Sequence, residues 1–134
     1  MKGKSLTPFG FLTLVAVSLL MAAPLFAHHG AANYDTVNTT SLKGTITEFR
    51  FINPHVLFFF EVKDENGEVV KWQGEASNPL QLARQGWNSK TFKPGDQITF
   101  MGHAAKSGAK SLWITKIVYP DGKEFDHLHN EYEN

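Results

Sequence analysis

The chain has 134 residues, with 13 basic residues against 13 acidic ones and no cysteine. One domain is the expectation at that length, and the absence of cysteine excludes disulfides and thiolate metal sites. A net charge of zero carries none of the basic excess that a nucleic-acid binder displays, so nucleic acid is not expected as a partner.

Lys2 and Lys4 form a short basic region, and Phe9 to Met21 (FGFLTLVAVSLLM) follows as an apolar run of signal-peptide length. Pro24 and Ala27 then read as the approach to a secretory cleavage site after Ala27. The competing reading is an uncleaved anchor. An apolar run needs about 20 residues to cross a bilayer, and this one reaches that only by counting through Pro24 to Ala27. Residues 1–27 are therefore read as a signal peptide and the mature chain as periplasmic or secreted, released from the membrane. Lys2 and Lys4 leave with the signal, so 13 basic residues become 11 against 13 acidic ones, a net of about minus two. The remainder divides into a leader segment at 28–41, a domain at 42–125 and a polar tail at 126–134.

Leu42 to Phe51 (LKGTITEFRF) is rich in threonine, aromatic and β-branched residues and predicts a first strand. Asn53-Pro54 interrupts it. Val56 to Lys63 (VLFFFEVK) predicts a second strand, apolar enough that both faces are expected to be covered. Asn66-Gly67 is a strong hairpin signal, and Val69 to Glu75 answers as a third strand. The period then changes. Ser77 or Asn78 can cap a helix, Pro79 suits its first turn, Leu80, Leu82 and Ala83 supply an apolar face, and Gly86 ends it. Pro94-Gly95 turns the chain into a fourth strand, Gln97 to His103, and Ser111 to Tyr119 alternates as a fifth. The segment PDGKEF is compatible with a further short hairpin.

Strand, strand, strand, helix, strand, strand is the order of the OB-fold. The expected class is therefore mainly β, a small five-stranded OB-like Greek-key barrel with one short helix between strands 3 and 4. A simple antiparallel sheet packed on a helix is the alternative topology.

This architecture gives the histidines places. His55 falls in the connection between strands 1 and 2, and His103 closes strand 4. In an OB barrel those two regions flank one mouth, where ligands commonly bind. His28 and His29 sit on a leader of about 14 residues that spans up to about 46 Å when extended, so reach admits them to that mouth. His127 and His129 lie on the tail.

Cleavage after Ala27 gives His28 special chemistry. Its free α-amino group has a pKa of about 8, and amine plus imidazole can chelate one ion, with His29 alongside. Nitrogen ligands of this kind suit copper(II), nickel or zinc, and copper binds most tightly of these. His28, His29, His55 and His103 are the candidate metal ligands, with copper(II) as the expected ion. Bland readings stand beside these. Two histidines after a cleavage site can be a solvated start, His103 can be an ordinary strand residue, and His55 can be a structural plug on an Asn-Pro turn. Trp72, Trp87 and Trp113 can line an apolar cleft or belong to the core.

The leader with its His28-His29 start, ANYD soon after, LKGTITEFRFINPHV, NPLQLARQGW and KPGDQITFMGHAAKSG together resemble a bacterial family of small exported proteins catalogued as a domain of unknown function. The resemblance spans residues 28 to 125. It implies an envelope location and an OB-like barrel, directs attention to His28, His29, Asn53, Pro54, His55, Gly86, Trp87 and His103, and implies no activity.

No serine lies in a Gly-x-Ser-x-Gly elbow and no Gly-rich phosphate loop is present. Glu61 and Glu75 fall on neighbouring strands without evident convergence. No catalytic residues are assigned, and the expectation is a non-enzyme. Two functions follow from the residues: a periplasmic metal-binding protein, or a metal-free module in which the mouth around His55 and Trp72 holds a small molecule or a protein partner.

Overall fold

The computed structural model describes residues 31–126; the proposed signal peptide, His28 and His29, and His127 and His129 of the tail lie outside the described residues. A 3-10 turn at Ala31–Asn33 leads into β1 (Thr40–Arg50), β2 (Leu57–Lys63), β3 (Val69–Glu75), helix α1 (Pro79–Arg84), β4 (Gln97–Ala104), β5 (Ser111–Val118) and β6 (Glu124–Phe125). The five main strands occupy the predicted stretches within two residues at each end. β1 begins two residues earlier than expected because Thr40 and Ser41 already pair with Gly102 and Met101 of β4.

The β2–β3 hairpin forms where Asn66-Gly67 allows it. Gly67 has φ +81°, a left-handed turn conformation that glycine enters without a Cβ penalty. The Asp64 carboxylate accepts from the backbone N–H groups of Asn66 and Glu68 at 2.9 and 2.8 Å and fixes the turn. That turn sets the register from Lys63↔Val69 through to Leu57↔Glu75.

β1 serves two neighbours. Its first half pairs with β4 and its second with β2, with a register shift between Ile46 and Glu48 where it changes partner. A bulge raises local twist and bends a strand, which closes the sheet on itself. β3 and β5 complete the closure as a short parallel ladder, Gln73↔Ser111, Gly74↔Leu112 and Glu75↔Trp113. The ring β1-β2-β3-β5-β4 with one helix after the third strand is the OB arrangement. β6 adds an edge beyond the expected five strands, pairing Phe125 with Ile117.

Alternate residues of each strand point inward. Ile46, Phe58, Phe60, Ile98, Phe100, Leu112, Ile114 and Ile117 make the barrel core, with Phe60 and Phe100 stacked at 4.1 Å between ring centroids. One end of the barrel is plugged by Phe49, Phe58, Trp87 and Phe92. Phe125 lies on Trp87 at 4.9 Å, which ties β6 to this plug. The outward face of β2 is only partly covered: Phe59 is half-buried and carries the Arg50 guanidinium 4.8 Å from its ring centre.

Helix α1 starts as expected. Asn78, rather than Ser77, is the N-cap, its side-chain oxygen accepting from the Gln81 N–H at 2.9 Å, and Pro79 occupies the first helical position. Its apolar face differs from the expectation. Leu82 is fully buried, whereas Leu80 is 64% exposed and Ala83 also faces solvent. A helix of six residues makes under two turns, so one side chain suffices to seat it.

Candidate functional site

The site is built around Trp113, whose position is set by strand alternation. Its neighbours Leu112 and Ile114 are wholly buried in the barrel, so its indole projects from the outer face, yet it is only 4% exposed. Register places Glu75 of β3 beside it on one side and His103 of β4 on the other. Directly paired residues share a face, so Glu75, Trp113 and His103 form one row across three strands.

His55 enters this row from the β1–β2 connection, directly after a cis Asn53-Pro54 bond. The connection is anchored to the far end of β3: Val56 N–H donates to the Ser77 carbonyl at 3.0 Å and Ala76 N–H to the Val56 carbonyl at 2.9 Å. The His55 ring meets Trp113 edge-on at 5.9 Å, and its Nδ1 pairs with the Glu75 Oε1. A carboxylate accepts, so Nδ1 carries a proton, and in the neutral tautomer that this selects Nε2 holds the lone pair.

His103 is held in the same manner. Its Nδ1 lies 3.0 Å from the Asn38 carbonyl oxygen, which can only accept. Both described histidines of the predicted set therefore have Nδ1–H on an oxygen, which in the neutral ring makes Nε2 the lone-pair nitrogen. That is the arrangement in which histidines ligate metals, the outer partner fixing tautomer and ring orientation.

The roof of the site is the leader, and it extends the barrel. Tyr34 forms an antiparallel bridge with Ala105, Asp35 N–H donates to the Ala104 carbonyl at 2.9 Å and Lys106 N–H to the Asn33 carbonyl at 3.0 Å. The Lys106 ammonium donates to the Ala32 carbonyl at 3.0 Å. The β1–β4 ladder thus resumes beyond a loop at residues 35–39. That loop is organised by the Asp35 carboxylate, which accepts from the Asn38 side-chain amide at 2.8 Å and from the backbone N–H groups of Val37 and Asn38. The Asn38 hydrogen bonds hold the Asp35 carboxyl below the ordinary aspartate range. Tyr34 covers the indole, its ring 5.5 Å from Trp113 and its hydroxyl 3.1 Å from the Ser111 Oγ.

A cavity of about 500 Å³ opens beside this group, lined by Ala32, Asn33, Tyr34, Glu75, Ala105, Lys106 and Ser107. Among the described residues no group of three His, Asp or Glu side chains gathers at one point. The barrel presents His55 with Glu75 on the β3 side of Trp113 and His103 on the β4 side.

The expected grouping of His55 with Trp72 is corrected. Trp72 and Gly74 lie on the inward face of β3, where a Cβ at Gly74 would meet Ile114 and Phe60, while Glu75 faces out. The tryptophan beside His55 is Trp113. Trp87 belongs to the core and Trp72 packs against it. Glu61 and Glu75 share the outer face, but Glu61 pairs with Lys71 and Glu75 with Leu57, four residues apart along β2 and so separated by about 13 Å. Tyr34 is the site residue that sequence reasoning did not single out, and the tyrosine of ANYD was the available signal; Glu75 was weighed only with Glu61 and Trp113 only as a cleft or core residue, while their outward parity on paired strands is what joins them to His55.

Fold and site define a small closed β-barrel of the OB type carrying a covered His-Glu-Trp group on its rim. The chain belongs to the family of unknown function DUF6152, whose model matches residues 15–112. No curated protein matches the sequence. Among solved structures, the crystal structure of a complex of TiaS with a tRNA and ATP is similar over 63% of this chain and 18% of that one, with 21% identity and a TM-score of 0.42. The chain thus spans under a fifth of that protein's length.

Proposed function

We propose that the protein is exported and binds copper(II) at the rim of its barrel. His28 contributes its amine and ring, and His29, His55 and His103 are the further candidate ligands. The observation that carries this reading is the matched arrangement of His55 and His103, each with Nδ1 on an oxygen, on either side of one tryptophan. The leader supports it. Ala32 lines the cavity next to Glu75, and His29 is three residues from Ala32, a span of at most about 10 Å. Glu75 acts here as the partner that orients the His55 ring.

The test is a calorimetric titration of copper(II) and zinc into the mature protein, expressed with His28 as its authentic first residue and without a tag. A stoichiometric copper site of submicromolar affinity, tighter than for zinc, is the expected result. Acetylation of the His28 α-amino group removes the amine chelate and should weaken binding at least about tenfold, the loss that removing even an outer partner of a ligand causes. Unchanged affinity would sink the chelate.

A second reading has the cavity in its favour: a metal-free module that holds a small molecule against Tyr34, Glu75 and Lys106. Under it, His28→Ala and His29→Ala leave ligand capture intact.

A further inference from the structure

The cavity of about 500 Å³ beside Tyr34 has opposite charges on opposite walls. Glu75 lines it from the end of β3, and Lys106 and Ser107 line it from the β4–β5 turn. The β3 wall offers an acceptor. A carboxylate has about four acceptor sites, so the pairing of Glu75 with His55 does not by itself use up its capacity. The turn offers donors. The Lys106 ammonium gives one of its three protons to the Ala32 carbonyl at 3.0 Å. The Ser107 hydroxyl accepts from the Ala109 N–H at 3.3 Å and keeps its own proton to give. The Asp35 carboxylate also feels the charge of Lys106, but it accepts from Asn38 and Val37. Between the two walls lie Ala32, Ala105 and Tyr34, whose hydroxyl is taken up by Ser111 at 3.1 Å, so the surface there is mostly apolar.

This order of charges selects the ligand. A simple anion drawn to Lys106 brings its charge toward Glu75, and a simple cation at Glu75 meets the ammonium of Lys106. Like charges repel more strongly where water is partly excluded. A molecule with a cationic donor at one end and an anionic acceptor at the other answers both walls with charge-assisted hydrogen bonds. We infer that the cavity takes a free amino acid, its ammonium on Glu75, its carboxylate on Lys106 and Ser107, and its side chain against Tyr34; this names the ligand of the metal-free reading and rests on it.

The experiment is an amide-resolved NMR titration of the metal-free mature protein near neutral pH with three probes of one carbon skeleton. Leucine carries both charges, isoamylamine lacks the carboxylate, and isocaproate lacks the ammonium. The expected result is that leucine shifts the signals of Ala32, Asn33, Ala105, Lys106 and Ser107 to saturation and binds at least about tenfold more tightly than either analogue, the scale of one charge-assisted hydrogen bond. Glu75→Gln should bring leucine down to the affinity of isocaproate without weakening isocaproate itself. Lys106→Gln should do the same with respect to isoamylamine.

Either analogue binding as tightly as leucine overturns the amino-acid assignment and leaves the small-molecule reading standing. Variants that weaken all three probes alike overturn the roles given to the two charges, because a purely structural effect acts in that way. Shifts confined to residues away from the cavity overturn the site. No response to any of the three probes overturns the assignment as well, and a mixed fragment library that is equally silent at these amides removes the metal-free reading with it. Should either variant not fold, the ranking of the three probes on the wild type decides by itself.

Discussion

Gly102 shows how one residue controls the site. It pairs with Thr40 on one side and Ile114 on the other, next to the register shift between β4 and β5. A Cβ there would overlap the Trp113 carbonyl, a backbone group that no rotamer change can move aside. Gly102→Ala should therefore cost about 3 kcal/mol, the upper end for overpacking a closed interior. Scanning calorimetry should show a melting temperature lower by more than about 10 °C; a loss below about 1 kcal/mol would mean that the two strands do not meet so closely. The same contact seats His103 and Trp113 opposite each other. In sequence, Gly102 is only a glycine in an alternating strand, because the atom it must avoid comes from a residue 11 positions away. His55 was legible as a candidate from its Asn-Pro turn. Its partner Glu75 was not, since that pairing depends on how far the third strand runs past the second.

At the level of elements, helix α1 separates local signals from tertiary ones. Its start was readable from Asn78, Pro79 and the change in period, which are properties of the chain's own backbone. Which leucine it buries was not. Leu82 is fully enclosed and is its only buried residue, while Leu80 points to water. Leu82→Ala should destabilise by about 3 kcal/mol through lost burial and the cavity left behind, and Leu80→Ala should stay within about 0.5 kcal/mol. Denaturant titration of the two variants checks this, and similar losses in both would refute the single-anchor account. The leader is the converse case. Its sequence marks it only as a lead-in to the first strand, yet it returns to the barrel as an extension of the β1–β4 ladder. The hydrogen-bonding edge it uses, Ala104 to Lys106, belongs to a turn more than 65 residues further on.

For the whole molecule, closure is uneven. Seven residue pairs join β2 to β3 and six join β1 to β4, but the β3–β5 seam holds three. Local opening follows the least-supported ladder, so the amide hydrogens that cross the β3–β5 seam, such as that of Gln73, which donates to the Lys110 carbonyl, should exchange ahead of those that join β2 to β3. Native-state exchange resolved by residue tests this, and greater protection at the seam would show that the outer cover contributes more than the ladder. The seam also carries Glu75 and Trp113, so the part of the barrel that bears the site is its least cross-linked one. Hydrophobic alternation, turn glycines and the order of elements, all local to the chain, determined by themselves the strands, the helix and the OB-type class. The sequence placed His55 and His103 at one mouth through the fold class, but the tertiary structure alone decided that Tyr34, Glu75 and Trp113 join them in one patch. Strand register and barrel closure bring those residues together across as many as 79 positions, and no local pattern encodes which outward side chain will face which.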